Sequence, residues 1–89
     1  MTELATYDGE PLDVPERMIV APSAGVFRPG PRGEQEQRLV REGETIGLIE
    51  GPGIRTEVRS PFHGHLMGMV AHPGERLRQG QRIAWLLVA

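Results

Sequence analysis

Cysteine and lysine are both missing from this chain of 89 residues, and all ten basic residues are arginines. Without cysteine the chain can form neither a disulfide framework nor a thiolate metal site. Without lysine it offers no side-chain amine for a Schiff base or an amide-linked cofactor. Functions that depend on any of these groups are therefore excluded.

Aromatic residues and long apolar runs are also scarce. Aromatic residues make up 4% of the chain and the arginines are scattered, so we expect no basic, base-stacking surface for nucleic acid. No apolar run is long enough to span a bilayer, and the first residues lack the basic and apolar regions of a signal peptide. The sequence therefore predicts a cytoplasmic protein that binds neither nucleic acid nor membranes.

The three histidines are the candidate metal ligands. His63 and His65 are spaced as an H-x-H pair, which on one strand would share a face, and His72 could be a third ligand of zinc or nickel. His63 falls in a turn before the predicted strand, however, and no carboxylate lies nearby in the sequence. We therefore expect exposed turn histidines and no metal site.

Catalysis is not expected from the serines either. Ser23 and Ser60 are the only two, and both lie beside prolines, outside any nucleophile-elbow motif. The prediction is that the chain is not an enzyme.

Acidic residues are concentrated at the N-terminus. Residues 1–17 carry five carboxylates against one arginine, whereas the whole chain has a net charge of -2. They contain glycine and proline and show no sustained hydrophobic periodicity. We predict a flexible acidic arm over residues 1–17 and one folded domain over residues 18–89.

The stretch from Ile49 to Arg59 predicts a β-hairpin, because Gly51, Pro52 and Gly53 form a turn signal between apolar, β-branched flanks. An internal repeat surrounds this turn.

The repeat is visible in two motifs. The Pro-x-x-Gly that begins at Pro22 recurs 39 residues later at Pro61, and the Gly-x-x-Ile that begins at Gly43 recurs 37 residues later at Gly80. The two extra residues of the first copy are assigned to the Pro/Gly loop at 29–37. No helix of useful length is indicated, and two strand-rich copies packed face to face would complete one core. The sequence predicts an all-β domain.

The last predicted strand, residues 82–88, is apolar on both faces. Its alternate positions are Ile83, Trp85 and Leu87 on one side and Ala84, Leu86 and Val88 on the other. A strand with one face in water should instead alternate with polar residues. The strand is therefore either buried on both sides or presents an apolar face to a partner, possible homo-oligomers included.

Four segments in order resemble the biotinyl/lipoyl attachment domain, the carrier domain of biotin-dependent carboxylases and 2-oxo acid dehydrogenases. They are 20–27 with A-P-x-x-G, 40–46 with V-x-x-G-E-x-I, 57–64 with E-V-x-S-P-x-x-G, and 77–83, which repeats the second. The resemblance covers residues 18–88. It implies a barrel-sandwich hybrid of two four-stranded antiparallel sheets related by a pseudo-twofold axis.

Gly53 falls where this family carries its modified lysine. Glu50 matches the family's glutamate, and Gly51 and Pro52 take its next two positions. Biotin and lipoate are attached in the family through an amide to that lysine. We therefore expect a degenerate member that is not biotinylated or lipoylated and has no cofactor.

The resemblance without the lysine leads to the functional prediction. It is a non-enzymatic domain that acts through protein–protein contacts, as a regulatory or assembly subunit of a carboxylase or 2-oxo acid dehydrogenase type complex. The candidate partner-binding residues are Glu50, Ile54, Arg55 and Trp85. The alternative is a barrel recruited to bind a small molecule or to serve a biosynthetic pathway, in the groove between the sheets or on the apolar face near Trp85.

Overall fold

A computed structural model describes residues 15–30 and 38–88, which form eight β-strands. In chain order they are β1 (Glu16–Val20), β2 (Gly25–Pro29), β3 (Leu39–Val40), β4 (Thr45–Gly51), β5 (Ile54–Arg59), β6 (Gly64–Met69), β7 (Arg76–Leu77) and β8 (Arg82–Leu87). Most of the prolines and glycines of the described ranges lie in the connections between strands, as the turn signals predicted.

The strands pair into two four-stranded sheets. Sheet I has the order β1-β8-β6-β3 and sheet II the order β5-β4-β2-β7. Every pairing is antiparallel. The predicted all-β class and its two four-stranded antiparallel sheets are confirmed.

The internal repeat of the sequence relates one sheet to the other. Exchanging β1 with β5, β2 with β6, β3 with β7 and β4 with β8 converts the strand order of sheet I into that of sheet II. The turn hydrogen bonds repeat as well: Gly43 N–H donates to the Ser60 carbonyl at 2.7 Å, and Gly80 N–H donates to the Ala21 carbonyl at 2.8 Å. Each half of the chain thus contributes strands to both sheets, so neither half forms a sheet alone.

The core fills the space between the sheets. Its largest fully buried side chains are Phe27, Ile19, Ile46, Ile49, Leu66, Leu77, Ile83, Leu86, Val40 and Val58. Phe27 lies opposite Ile49 in the β2–β4 register. Gly47 makes room for the Phe27 ring, because a Cβ at that position would lie 2.6 Å from the ring.

The two faces of β8 differ from the predicted alternation, and a β-bulge is the reason. Ile19 pairs with Ala84 and Val20 pairs with Arg82, so Ile83 is an extra residue in β8. Ile83 and Ala84 are consequently both buried. The prediction that placed Ile83 on the same side as Trp85 was wrong.

The ordered strands start slightly earlier than the predicted domain. β1 begins at Glu16, whereas the sequence placed the start of the folded domain at residue 18. The rest of the predicted arm, residues 1–14, and the predicted insertion at 31–37 lie outside the described residues. Within the ranges 15–30 and 38–88 there is no helix long and apolar enough to cross a membrane.

Candidate functional site

The predicted hairpin forms between β4 and β5. Gly51 pairs with Ile54, which leaves Pro52 and Gly53 as a two-residue turn. Gly53 has a φ of 69°, in the left-handed region that glycine adopts without the steric cost of a Cβ. The turn chemistry of the sequence thus produces a tight, projecting tip.

The position that the resemblance assigns to a lysine lies in open space at this tip. A Cβ built at Gly53 would have no heavy atom within 4 Å, apart from its chain neighbours. The hairpin therefore has a tip at which a side chain would point into solvent, but the residue there is a glycine.

Ile54 is the main apolar feature of the tip. Its side chain is 63% exposed, the highest value among the exposed large hydrophobic residues of the described ranges. It begins β5, an edge strand of sheet II. An isoleucine held this far out of the core is available to a partner's apolar pocket.

An ionic cluster supports the base of the hairpin. Glu50 Oε1 accepts a hydrogen bond from Arg28 Nε at 3.1 Å, and Glu50 Oε2 lies 3.5 Å from Arg55 Nε. The Arg28 hydrogen bond is the main reason why the pKa of Glu50 lies below its ordinary value, and Arg55 acts in the same direction. Glu50 is therefore a carboxylate that bridges Arg28 of β2 and Arg55 of β5 across the surface of the sheet.

Arg28 is a site residue that the sequence reasoning missed. It is 22 residues from Glu50 in the chain and becomes its neighbour only through the β2–β4 register, where Val26 lies opposite Glu50. The strand-pairing register was the signal that could have found it.

Gly25 was missed as well, and it brings β2 close against the base of the hairpin. A Cβ there would lie 2.6 Å from the Glu50 carbonyl oxygen. Beside this approach is a depression of about 350 Å³, whose lining includes Val26, Pro52 and Arg76. The hairpin therefore rises next to a shallow recess.

Trp85 lies apart from the other three predicted partner-binding residues. Glu50, Ile54 and Arg55 are on sheet II at the hairpin, whereas Trp85 is on the outer face of sheet I, opposite Met18 of β1. A depression of about 220 Å³ beside it is lined by Glu16, Arg17, Met18 and Trp85. The structure thus divides the predicted set into two separate surfaces.

The histidines are not gathered into one cluster. His65 lies on β6 opposite Leu39 and Leu87, and His63 precedes that strand. His72 lies in a turn where its N–H donates to Glu75 Oε1 at 2.9 Å. Within residues 15–30 and 38–88, no group of three or more His, Asp or Glu side chains could hold a metal ion.

Comparisons with protein-family models and with curated proteins find no match for this chain. Similar folds occur among solved structures. One is a single-chain, multi-domain long-chain acyl-CoA carboxylase, with a TM-score of 0.73 and 16% identity over 91% of this chain. A second is the urea carboxylase of Kluyveromyces lactis, with a TM-score of 0.71 and 18% identity over 97% of this chain.

A third similar structure is a succinylglutamate desuccinylase/aspartoacylase from Rhodobacter sphaeroides, with a TM-score of 0.64 and 27% identity over 80% of this chain. The chain covers only 8%, 7% and 21% of these three proteins respectively. It therefore has the fold of a small part of larger proteins, and two of these are carboxylases, as the resemblance in the sequence implied.

Proposed function

We propose that this chain is a non-enzymatic docking domain that acts through protein–protein contacts, as a regulatory or assembly subunit of a carboxylase or 2-oxo acid dehydrogenase type complex. The observation that carries the proposal is the β4–β5 hairpin. It is a complete, projecting hairpin with an exposed Ile54, in a chain that has no lysine to which a swinging cofactor could be attached.

The hairpin is suited to docking because its shape is set before a partner arrives. The Gly53 turn, the ionic bridges of Glu50 and the close approach of Gly25 restrict the tip without any ligand. A preorganised element loses less conformational entropy on binding than a flexible loop. A barrel of this shape can occupy the place of a carrier domain and deliver no carboxyl or acyl group.

The choice of a carboxylase-type partner is supported by the sequence motifs and by the fold shared with two carboxylases. The desuccinylase/aspartoacylase has the higher sequence identity of 27%, so a deacylase-type protein is the second candidate partner. With either candidate partner, this chain would be a barrel that binds a larger protein and catalyses no reaction itself.

Small-molecule binding is the other candidate function. The space between the sheets is occupied by core side chains, which leaves the depression beside Trp85 as the site for such a ligand. Trp85 is the only tryptophan, so its fluorescence would respond to an occupant. A saturable shift of the Trp85 fluorescence on addition of a metabolite would favour this function over docking. The variant Met18→Glu, which changes the residue opposite Trp85, should abolish that shift.

Affinity purification from the native host, followed by mass spectrometry, tests the docking proposal. The expected result is specific recovery of a biotin carboxylase, a carboxyltransferase or a dehydrogenase component. Recovery of a deacylase instead would transfer the proposal to the second candidate. Recovery of no enzyme under native conditions would contradict it.

Intact mass after co-expression with a biotin ligase or a lipoate ligase tests the expected lack of a cofactor. We expect the unmodified mass, because neither the hairpin tip nor any other position has a lysine. An adduct mapped to residues 18–89 would contradict this expectation.

A further inference from the structure

The two sheets are related by the internal twofold, but their outer faces differ in chemistry. The outer face of sheet II has the half-buried Val26 and Leu48 among six charged side chains, namely Arg28, Glu50, Arg55, Glu57, Arg59 and Arg76. The outer face of sheet I has five apolar side chains, Met18, Val20, Leu39, Trp85 and Leu87, with the exposed His65 between Leu39 and Leu87 and with Glu16 and Arg82 at its ends. We call the five apolar residues the apolar face.

The apolar face is exposed on the surface of the domain. Met18 is 39% exposed, Val20 45% and Leu39 39%, and these are three of the five exposed large hydrophobic residues in the described ranges. Trp85 and Leu87 beside them are half-buried. Exposed apolar side chains are ordinary when scattered, whereas several of them on one sheet face make that face a candidate interaction site.

Trp85 lies close against this face because its neighbour is a glycine. Gly68 pairs with Trp85 across β6 and β8, and a Cβ on Gly68 would lie 2.8 Å from the indole Nε1. The indole thus rests over β6 instead of projecting away from the sheet. Met18 lies opposite Trp85 on β1, and these two side chains form a flat apolar row at the centre of the face.

The ends of the apolar face carry opposite charges. Glu16 lies opposite Leu87 at one end, and Arg82 lies opposite Val20 at the other end. Consider a twofold axis that lies between two copies and runs across the strands along the Met18–Trp85 row. This axis places a second copy on the face with its strands reversed. The Glu16 end of each copy then faces the Val20–Arg82 end of the other.

We propose that two copies of this chain associate through the apolar face of sheet I, with their strands antiparallel. A reversed second copy matches the face in both respects, since apolar side chains meet at the centre and opposite charges meet at the ends. Such an interface is isologous, so each contact occurs twice.

The size of the face predicts a weak dimer. Four strands spaced by about 4.8 Å, with five residues of about 3.3 Å each, give a face of roughly 15 Å by 15 Å. This is smaller than the roughly 800 Å² per partner of a standard stable interface. We therefore expect a reversible dimer with a dissociation constant in the micromolar range or weaker.

Dimerisation through sheet I leaves the β4–β5 hairpins free. The hairpins belong to sheet II, whose outer face points away from the proposed interface. One dimer would therefore present two hairpins at once, and two linked contacts bind more tightly than one. This consequence for docking rests on the proposed function, whereas the dimer itself does not.

Sedimentation velocity over a wide concentration range, with the full chain, tests the proposal. We expect a monomer–dimer equilibrium, together with reduced acrylamide quenching of Trp85 as the concentration rises. Met18→Glu should weaken the dimer by at least about tenfold, because Met18 lies in the central row of the face and the new carboxylate would be buried against the partner. Ile54→Glu is the matched control at an exposed apolar position on the other sheet, and it should leave the dimer unchanged.

A charge exchange tests the antiparallel arrangement. Arg82→Glu should weaken the dimer, and the double variant Glu16→Arg/Arg82→Glu should restore it. Circular dichroism of each variant excludes unfolding as the cause. A chain that stays monomeric at all concentrations would overturn the proposal, as would a dimer lost with Ile54→Glu and kept with Met18→Glu. A monomer with Trp85 already protected would show that another segment covers the face.

Discussion

Two glycines near the hairpin have a positive φ, and only one of them is also required for space. At Gly53 the reason for a glycine is backbone conformation, because φ is 69° and a Cβ would meet nothing within 4 Å. At Gly25 space adds to conformation, because φ is 152° and a Cβ would also lie 2.6 Å from the Glu50 carbonyl oxygen. The first residue shapes the tip, and the second allows β2 to approach it.

Substitution by alanine should show the additional cost of the steric clash at Gly25. Gly53→Ala places a Cβ in the left-handed region and should lower the free energy of unfolding by about 1 kcal/mol. Gly25→Ala must displace backbone and should lower it by about 3 kcal/mol. Urea denaturation measures both values. Gly80→Ala, at another open position with a φ of 85°, is the control and should match Gly53→Ala.

Glu50 should make stability depend on pH in one direction. Its folded-state pKa is lowered, chiefly by the Arg28 hydrogen bond, so its contribution is fully present above the ordinary value of 4.5. The contribution is lost as the pH falls through the lowered pKa. Glu50→Gln should therefore reduce the melting temperature at neutral pH, and the difference from the wild type should shrink in acid.

The cause of this pKa shift can be checked separately. Arg28→Gln removes the hydrogen bond and should raise the pKa of Glu50, as followed by carboxyl NMR titration. An unchanged pKa in this variant would mean that Arg28 does not control the ionisation of Glu50.

At the scale of elements, the two equivalent turns before β4 and β8 use different side chains. Arg38 Nη1 donates to Glu44 Oε2 at 2.6 Å, and the Arg38 side chain is only 6% exposed. In the second copy, Gln81 Nε2 donates to Glu75 Oε2 at 3.4 Å. Glu44 and Gln81 also accept equivalent backbone hydrogen bonds, from Arg41 N–H and Arg78 N–H.

Because of this difference, we expect equivalent substitutions in the two turns to lower the free energy of unfolding by unequal amounts. Gln81→Ala loses a hydrogen bond from the Arg78 N–H and a long one to the Glu75 carboxylate, and should lower the free energy of unfolding by about 1 kcal/mol. Glu44→Ala also removes the carboxylate that pairs with the buried Arg38 guanidinium, and should lower the free energy of unfolding by about 3 kcal/mol. Urea denaturation of the two variants gives the comparison. Equal costs would contradict the view that the Arg38–Glu44 pair is electrostatically important.

The order of the elements was predictable from the sequence, but their local irregularities were not. The turn at Gly51-Pro52-Gly53 and the strand from residue 45 to 50 were recognised from turn residues and β-branched flanks. The bulge at Ile83 was missed because an apolar run carries no mark of an extra residue. The Arg28–Glu50 contact was missed because it depends on register across 22 residues.

At the scale of the whole molecule, the internal repeat was the most informative signal. The spacing of Pro22 from Pro61 and of Gly43 from Gly80 predicted two equivalent halves, and the strand orders of the two sheets confirm them. The repeat could not predict how the outer faces differ, because only inward-facing and turn residues are constrained by the shared fold. The partner and the lack of enzymatic activity stay predictions.

The central claim is that the exposed β4–β5 hairpin docks onto a larger protein. The most direct test is quantitative capture of the native partner by the wild-type chain and by Ile54→Glu, with Val70→Glu as the control. Val70 is 45% exposed and lies outside the hairpin. Ile54→Glu should reduce the captured partner by at least about tenfold, while Val70→Glu captures as much as the wild type. Equal capture by all three proteins would contradict the claim.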